Sequence, residues 1–338
     1  MENAIIIPGF ISVTMGFAVF LLGARLNSKL LILRRFNIPE PVSGGLIAAV
    51  LVLLAYKATG LQIRFEMEGR DLFLVTFFAA IGLNARLSDL LAGGRPLAIL
   101  LLLTLATILA QNLIGVAGAL AFGYPAKAGV LFGSAALIGG HGTAIAWAPE
   151  VATATGLSGA SELGVAVATL GLVLAAMIGG PVARFLIERN ALTSSRPDEE
   201  HTVGVADDVA ETTTIDHLGL IRVMLYLNLA IIFGYGLHQA LLVAGLKLPL
   251  FVPCLVSGIV LGNLRSLIAP NAAPVARTPV LALVSEFTLG IFLAMSLMSL
   301  QLWTIADLGL TIAMIMLLQT LFAAAFVLFV LFPMLGGN

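Results

Sequence analysis

Charged side chains are scarce in this chain. Asp, Glu, Lys and Arg make up 10 % of its 338 residues, and the formal net charge is −1. A soluble domain carries about 25 % charged residues. With 60 % hydrophobic residues, there is more apolar surface than one water-soluble core can hide, which excludes an ordinary globular domain. Cysteine is nearly absent. Cys254 alone allows no internal disulfide and gives no basis for a metal cluster. Basic runs are missing too, so nothing in the charge pattern fits nucleic acid. The chain also lacks a nucleophile–base pair, a phosphate loop, an HExxH or GxSxG motif and paired intramembrane aspartates. It is therefore read as no enzyme.

What is present is a series of long apolar runs. A spanning helix needs about 20 mostly apolar residues. The runs 5–24, 42–58, 71–92, 96–122, 162–187, 218–245, 250–268, 282–302 and 304–332 qualify as candidates. The first has no Lys or Arg before it and no small-residue cleavage site after it, so it reads as a transmembrane helix and not a signal peptide. The expected class is an all-α polytopic membrane protein. One stretch, 188–217, is rich in Asp, Glu and Thr and reads as a solvated linker.

The linker separates two halves that resemble each other. "DLFLVTFFAAIGLNARLSDL" lies over "EFTLGIFLAMSLMSLQLWTI" at an offset of 215, with Asp71 on Glu286, Phe77 on Phe292, Ala79 on Ala294 and Leu87 on Leu302. "NIPEPVSGGLIAAVL" resembles "KLPLFVPCLVSGIVL", and "LATILAQN" resembles "AMIMLLQT", which sets Gln111 near Gln319. Duplicated halves are common in secondary transporters. The reading assigns 1–190 to a first repeat, 191–217 to a polar cytoplasmic linker and 218–338 to a second repeat.

Lys and Arg bias the orientation. With the N-terminus outside and the segment at about 126–161 entering and leaving on one side, 12 of the 17 basic residues fall inside. The other five are Lys57, Arg64, Arg70, Lys127 and Lys247. This arrangement makes 126–161 a re-entrant hairpin and the two halves inverted. The second half has no counterpart of the glycine–histidine motif, so it is expected to be incomplete and the chain a fragment.

The hairpin contains "GSAALIGGHGTAIAW". Irregular backbone at membrane depth persists only where it is buried in protein or lines a wet cavity. Gly139, Gly140 and Gly142 allow close backbone approach, and freed N–H groups at helix ends attract carboxylates. Ser134 and Thr143 add hydroxyls, and His141 can donate, accept or titrate. Tight helix packing through small residues is the plainer use of such glycines. Glu162 and Thr169 are candidates for a sodium site; an interfacial helix acid and back-bonding to the preceding turn are the plainer readings. Asn84, near a span's end, is read as a ligand or as glue between helices, and Ser299 lies at the matching end of the repeat. Gln111 and Asn112 form a polar pair that fits interhelix hydrogen bonding.

"NIPEPVSGGL", "FFAAIGLNARL", "GGHGTAIAW", "ATLGLVLAAMIGGPVARFL" and "FLAMSLMSLQLW", in this order, resemble the bacterial sodium/glutamate symporter family from about residue 10 onward. The resemblance implies a multi-pass inner-membrane protein that carries L-glutamate inward with sodium as coupling ion and uses no other cofactor. It implies two inverted halves of five spans and one re-entrant hairpin each, and a likeness in architecture to dimeric carriers that work by an elevator motion. Substrate would meet Ser134, Gly139 to Thr143 and Asn84; sodium would meet Thr169, Glu162 and Ser299. The family carries a second glycine-rich hairpin and a last helix, which this chain lacks. Partners on this reading are glutamate, sodium, the lipid bilayer and a second copy of the chain. Two alternatives remain beside it: a proton-coupled carboxylate carrier with His141 titrating, and a non-transporting fragment or assembly partner.

Overall fold

The computed structural model describes residues 4–35, 39–88, 94–157, 159–190, 216–246, 248–269 and 273–335. The linker 191–215 lies outside this set, as do the side chains of His141 and Glu162. The chain is mostly helical, and eight helices among the described residues are long and apolar enough to cross a membrane. It divides into two compact units. One comprises Met1–Glu66, Gly94–Thr193 and Leu293–Asn338; the other comprises Met67–Gly93 and Ser194–Phe292.

The first unit begins with strand β1 (Ala4–Ile7), which pairs in parallel with β2 (Gln62–Phe65), Ala4 opposite Gln62. Between them run helices α1 (Gly9–Lys29), α2 (Leu31–Arg35) and α3 (Glu40–Thr59). The expected first span therefore starts at Gly9 and not at residue 5. The reason is local. Pro8 pushes Ile7 out of the helical region, and the β-branched run Ile5–Ile7 suits an extended strand once a partner strand is at hand. Glu66, just past β2, accepts a hydrogen bond from Gly9 N at 2.7 Å. A carboxylate at a helix start satisfies a free N–H and complements the dipole. In "IPEP", Pro39 caps α3 and Glu40 sits in its first turn, as a helix entry with an acid should.

The rest of this unit is built on α5 (Gly94–Ala121), two short helices α6 (Gly129–Phe132) and α7 (Ser134–Leu137), α8 (Gly140–Thr155), α9 (Ala160–Arg189) and α13 (Leu302–Phe326). Leu131, Phe132, Ala144, Leu163, Val167, Ile315 and Met316 close one apolar core between them.

The second unit packs α4 (Glu68–Asn84) against α11 (Phe251–Ile268), and α11 against α10 (His217–Val243). Phe78 stacks on Phe251 with ring centroids 4.4 Å apart. Helix α12 (Pro279–Met298) starts in this unit; its residues from Leu293 on belong to the first.

Helix α4 departs from the expected span 71–92. It has 17 residues and stops at Asn84, about 25 Å of helix against a hydrocarbon core of about 30 Å. The physical cause is a rival set of hydrogen bonds. Asn263 Nδ2 donates to Ala85 O at 2.9 Å, and Leu87 N donates to Asn263 Oδ1 at 3.1 Å. One carboxamide thus takes up backbone groups that another helical turn would need, and Ala85 is extended.

Candidate functional site

The segment that follows α5 is broken in space. After a 3-10 turn at Ala126–Ala128 come α6 and α7, parted at Gly133, whose φ of −111° and ψ of −142° lie far from helical values. The chain breaks again at Ile138–Gly139 and restarts as α8, 16 residues long. The turn at Ala126–Ala128 packs against α8, so the two arms lie side by side. Gly156 and Gly159, both with positive φ, then lead into α9.

Gly140 has φ +68°. An L side chain there would pay for left-handed backbone, so glycine is what permits the sharp restart. The α8 N-terminus carries no side-chain cap. Its first N–H groups, those of Gly140, His141 and Gly142, have no partner four residues earlier within the helix. Gly139 is engaged otherwise, its N–H donating to Ser134 O at 2.9 Å. Thr143 leans back so that its Cβ and Oγ1 cover the space a Gly139 side chain would occupy.

Ser134 is fixed from α5. Asn112 Oδ1 accepts from both Ser134 N and Ser134 Oγ at 3.0 Å. The first arm sits directly against α5, because Gly129 and Gly115 bring the two backbones into contact where a Cβ at either would collide with the other chain. Gln319, on α13, donates through Nε2 to Gln111 O at 2.8 Å and to Phe132 O at 3.1 Å. Of the Gln111–Asn112 pair, the Asn112 side chain makes the interhelix bonds expected of it, while Gln111 takes part through its backbone carbonyl, to Gln319. The hint in the sequence was its place opposite Gln111 in the repeat.

The other candidates are placed as follows. Thr169 is 1 % exposed and donates its hydroxyl to Val165 O at 2.8 Å, the back-bonding considered for it. Ser299 Oγ donates to Ser296 O at 2.9 Å. A hydroxyl that has given its hydrogen still offers lone pairs. Both residues belong to the hairpin's unit. Asn84 belongs to the second unit, where its Oδ1 accepts from Arg277 N at 2.8 Å. The structure thus brings Ser134, Gly139, Gly140 and Thr143 together at the break, with the backbone of His141 and Gly142, and gives Asn84 work of its own.

A cavity of about 410 Å³ lies beside the break in the same unit. Leu137, at the end of the first arm, forms part of its wall, with α9 on one side and α13 on the other. Gln111 and Gln319 supply its polar end.

Sequence comparison bears on what such a site is for. A family model described as sodium/glutamate symporter matches residues 6–338. The sodium/glutamate symporter of Escherichia coli is 37 % identical over 318 residues, covering 94 % of this chain and 79 % of that protein. That of Haemophilus influenzae is 36 % identical over 327 residues, covering 95 % of this chain and 79 % of its own.

Proposed function

Because this chain belongs to the sodium/glutamate symporter family, we propose that it carries L-glutamate into the cell together with sodium across the bacterial inner membrane. The observation that carries the reading is the broken pair of arms at Ala126–Thr155. Its longer arm has 16 residues, about 24 Å, too short to cross a core of about 30 Å. Backbone breaks at that depth persist where they meet a ligand or a wet cavity. An uncapped helix N-terminus beside anchored hydroxyls is chemistry for a carboxylate, and glutamate brings two.

In this proposal the arms form a re-entrant hairpin that enters and leaves on the outer side of the membrane. Substrate meets Ser134, Thr143, the Gly139 backbone and the N–H groups of Gly140 to Gly142, with His141 as a further residue for substrate. Thr169, Ser299 and Glu162 serve sodium. Residues 1–190 and 218–338 are inverted repeats joined by a cytoplasmic linker, with the N-terminus outside. The hairpin and the cavity share one compact unit, which supports transport by a bundle moving as a body, elevator-fashion, within a homodimer. The sodium gradient supplies the work, each charge moved across 100 mV being worth about 2.3 kcal/mol.

The test is uptake of radiolabelled glutamate into proteoliposomes. Accumulation is expected only with an inward sodium gradient, and excess unlabelled glutamate should suppress it more than aspartate or succinate does. Uptake indifferent to the sodium gradient would overturn the coupling.

A further inference from the structure

Two buried carboxamide oxygens, Gln111 Oε1 and Gln319 Oε1, have no hydrogen-bond donor among the described residues. Gln111 is 7 % exposed and Gln319 2 % exposed, and both line the cavity beside the hairpin. The orientation of Gln319 is determined by its surroundings. Its Nε2 donates both hydrogens, to Gln111 O and to Phe132 O. Turning the amide over would press Oε1 against two carbonyl oxygens. The free end of Gln319 is therefore an acceptor. A buried acceptor without a partner is costly, and here two residues that line one cavity each carry one.

The lining decides the class of ligand. Apart from Gln111, Gln319 and the hydroxyl of Thr320, its residues are apolar, and no charged side chain is among them. A carboxylate would find no cation there, and both donors of Gln319 are already committed. The carboxylates of glutamate are thereby excluded. A divalent ion is poorly served, since such ions are held through carboxylates. A monovalent hard cation takes neutral carbonyl and hydroxyl oxygens, and the cavity is large enough for it to keep some of its water. Ions in apolar surroundings are expensive, so a site of this kind holds weakly and lets go readily.

We infer that Gln111 and Gln319 form a sodium site at the polar end of this cavity. The inference rests on the reading of the chain as a sodium-coupled carrier and names residues outside the hairpin tip for that ion. It also supplies a link to the hairpin. A cation on Gln319 Oε1 polarises the carboxamide and strengthens the bonds its Nε2 makes to Gln111 O and Phe132 O. Phe132 ends the helical turn just before Ser134, so sodium on one side of the amide tightens the first arm on the other. The α-ammonium of an amino acid has the same appetite for oxygen lone pairs, and the experiment must separate the two.

Gln111→Met is the informative variant. It removes the oxygen and keeps the volume, and the Gln111 backbone carbonyl still accepts from Gln319. Thermal unfolding of the purified chain is measured in sodium chloride against choline chloride, alongside uptake in proteoliposomes. Half-saturating sodium is expected to rise about fivefold, the loss of one modest polar contact, with the glutamate KM at saturating sodium unchanged. Gln111→Glu, which adds a negative charge at the same place, should lower half-saturating sodium at pH 8, a gain that misfolding cannot imitate. Unshifted sodium dependence in both variants overturns the site. A raised glutamate KM at saturating sodium, with sodium dependence unchanged, assigns the oxygens to an ammonium group and overturns it equally. Wild-type uptake that ignores sodium sinks the coupled-transport reading and this site with it. A sodium-coupled wild type with unshifted variants sinks the site alone.

Discussion

Gln319 Nε2 lies 2.8 Å from Gln111 O. These are the residues that the internal resemblance sets near one another, Gln111 in "LATILAQN" and Gln319 in "AMIMLLQT". Positions that the resemblance aligns are thus in direct contact within one unit, and a third group, Phe132 O, is held by the same amide. Replacing Gln319 by Leu removes both bonds. The expected cost is about 2–3 kcal/mol, two hydrogen bonds at roughly 1 kcal/mol each plus any carbonyl left bare. It is read as a drop in the unfolding midpoint measured without sodium.

The Asn112–Ser134 connection separates acceptor chemistry from size. Asn112→Asp keeps an oxygen for Ser134 N and Oγ and should retain glutamate uptake. Asn112→Leu keeps the bulk and strands the Ser134 donors, at a cost of about 1–3 kcal/mol. Hydrogen exchange at 133–138 should quicken in the Leu variant and stay slow in the Asp variant. Equal protection in both would mean that Asn112 does not hold the arm.

Gly140 and Gly60 share a left-handed backbone, φ +68° and +72°, and both have open space where a Cβ would go. Alanine at either should destabilise by about 1 kcal/mol through backbone strain alone. Only Gly140→Ala touches the break in the hairpin. It is expected to lower glutamate uptake severalfold, while Gly60→Ala leaves uptake near wild type. Matched losses of uptake would remove the special standing of the hairpin.

Asn84→Ala takes away the acceptor for Arg277 N, and Arg277 itself has φ +58°. A non-glycine residue in that region persists because its surroundings hold it there. The variant should lose about 1 kcal/mol of stability with the glutamate KM unchanged. A large rise in KM would instead return Asn84 to the substrate.

Much of the helical framework was legible in the residues, because an apolar run of spanning length admits few alternatives. The runs 42–58 and 250–268 match Glu40–Thr59 and Phe251–Ile268 closely. Failures occurred where a distant partner decided the matter. Ile5–Ile7 reads as the start of a membrane helix until Gln62–Phe65 arrives as a second strand. The α4 helix stops at Asn84 because Asn263 and Arg277 lie alongside, and neither is near in sequence. The hairpin break was visible in Gly139, Gly140 and Gly142, since glycine carries its conformational meaning locally. What Asn112 and Gln319 do there was only partly visible, since an amide's partner cannot be read from its neighbours along the chain.

The pairing of β1 with β2 has a topological consequence. It stitches the start of α1 to the end of α3 through backbone bonds, with Glu66 adding a stitch to Gly9. The first 66 residues are thereby closed into a ring, although no covalent bond closes it. A protease nick between α2 and α3 opens the ring at its covalent thread and leaves the paired strands joining the two pieces. The two pieces should stay associated in mild detergent and part only when the strands are denatured.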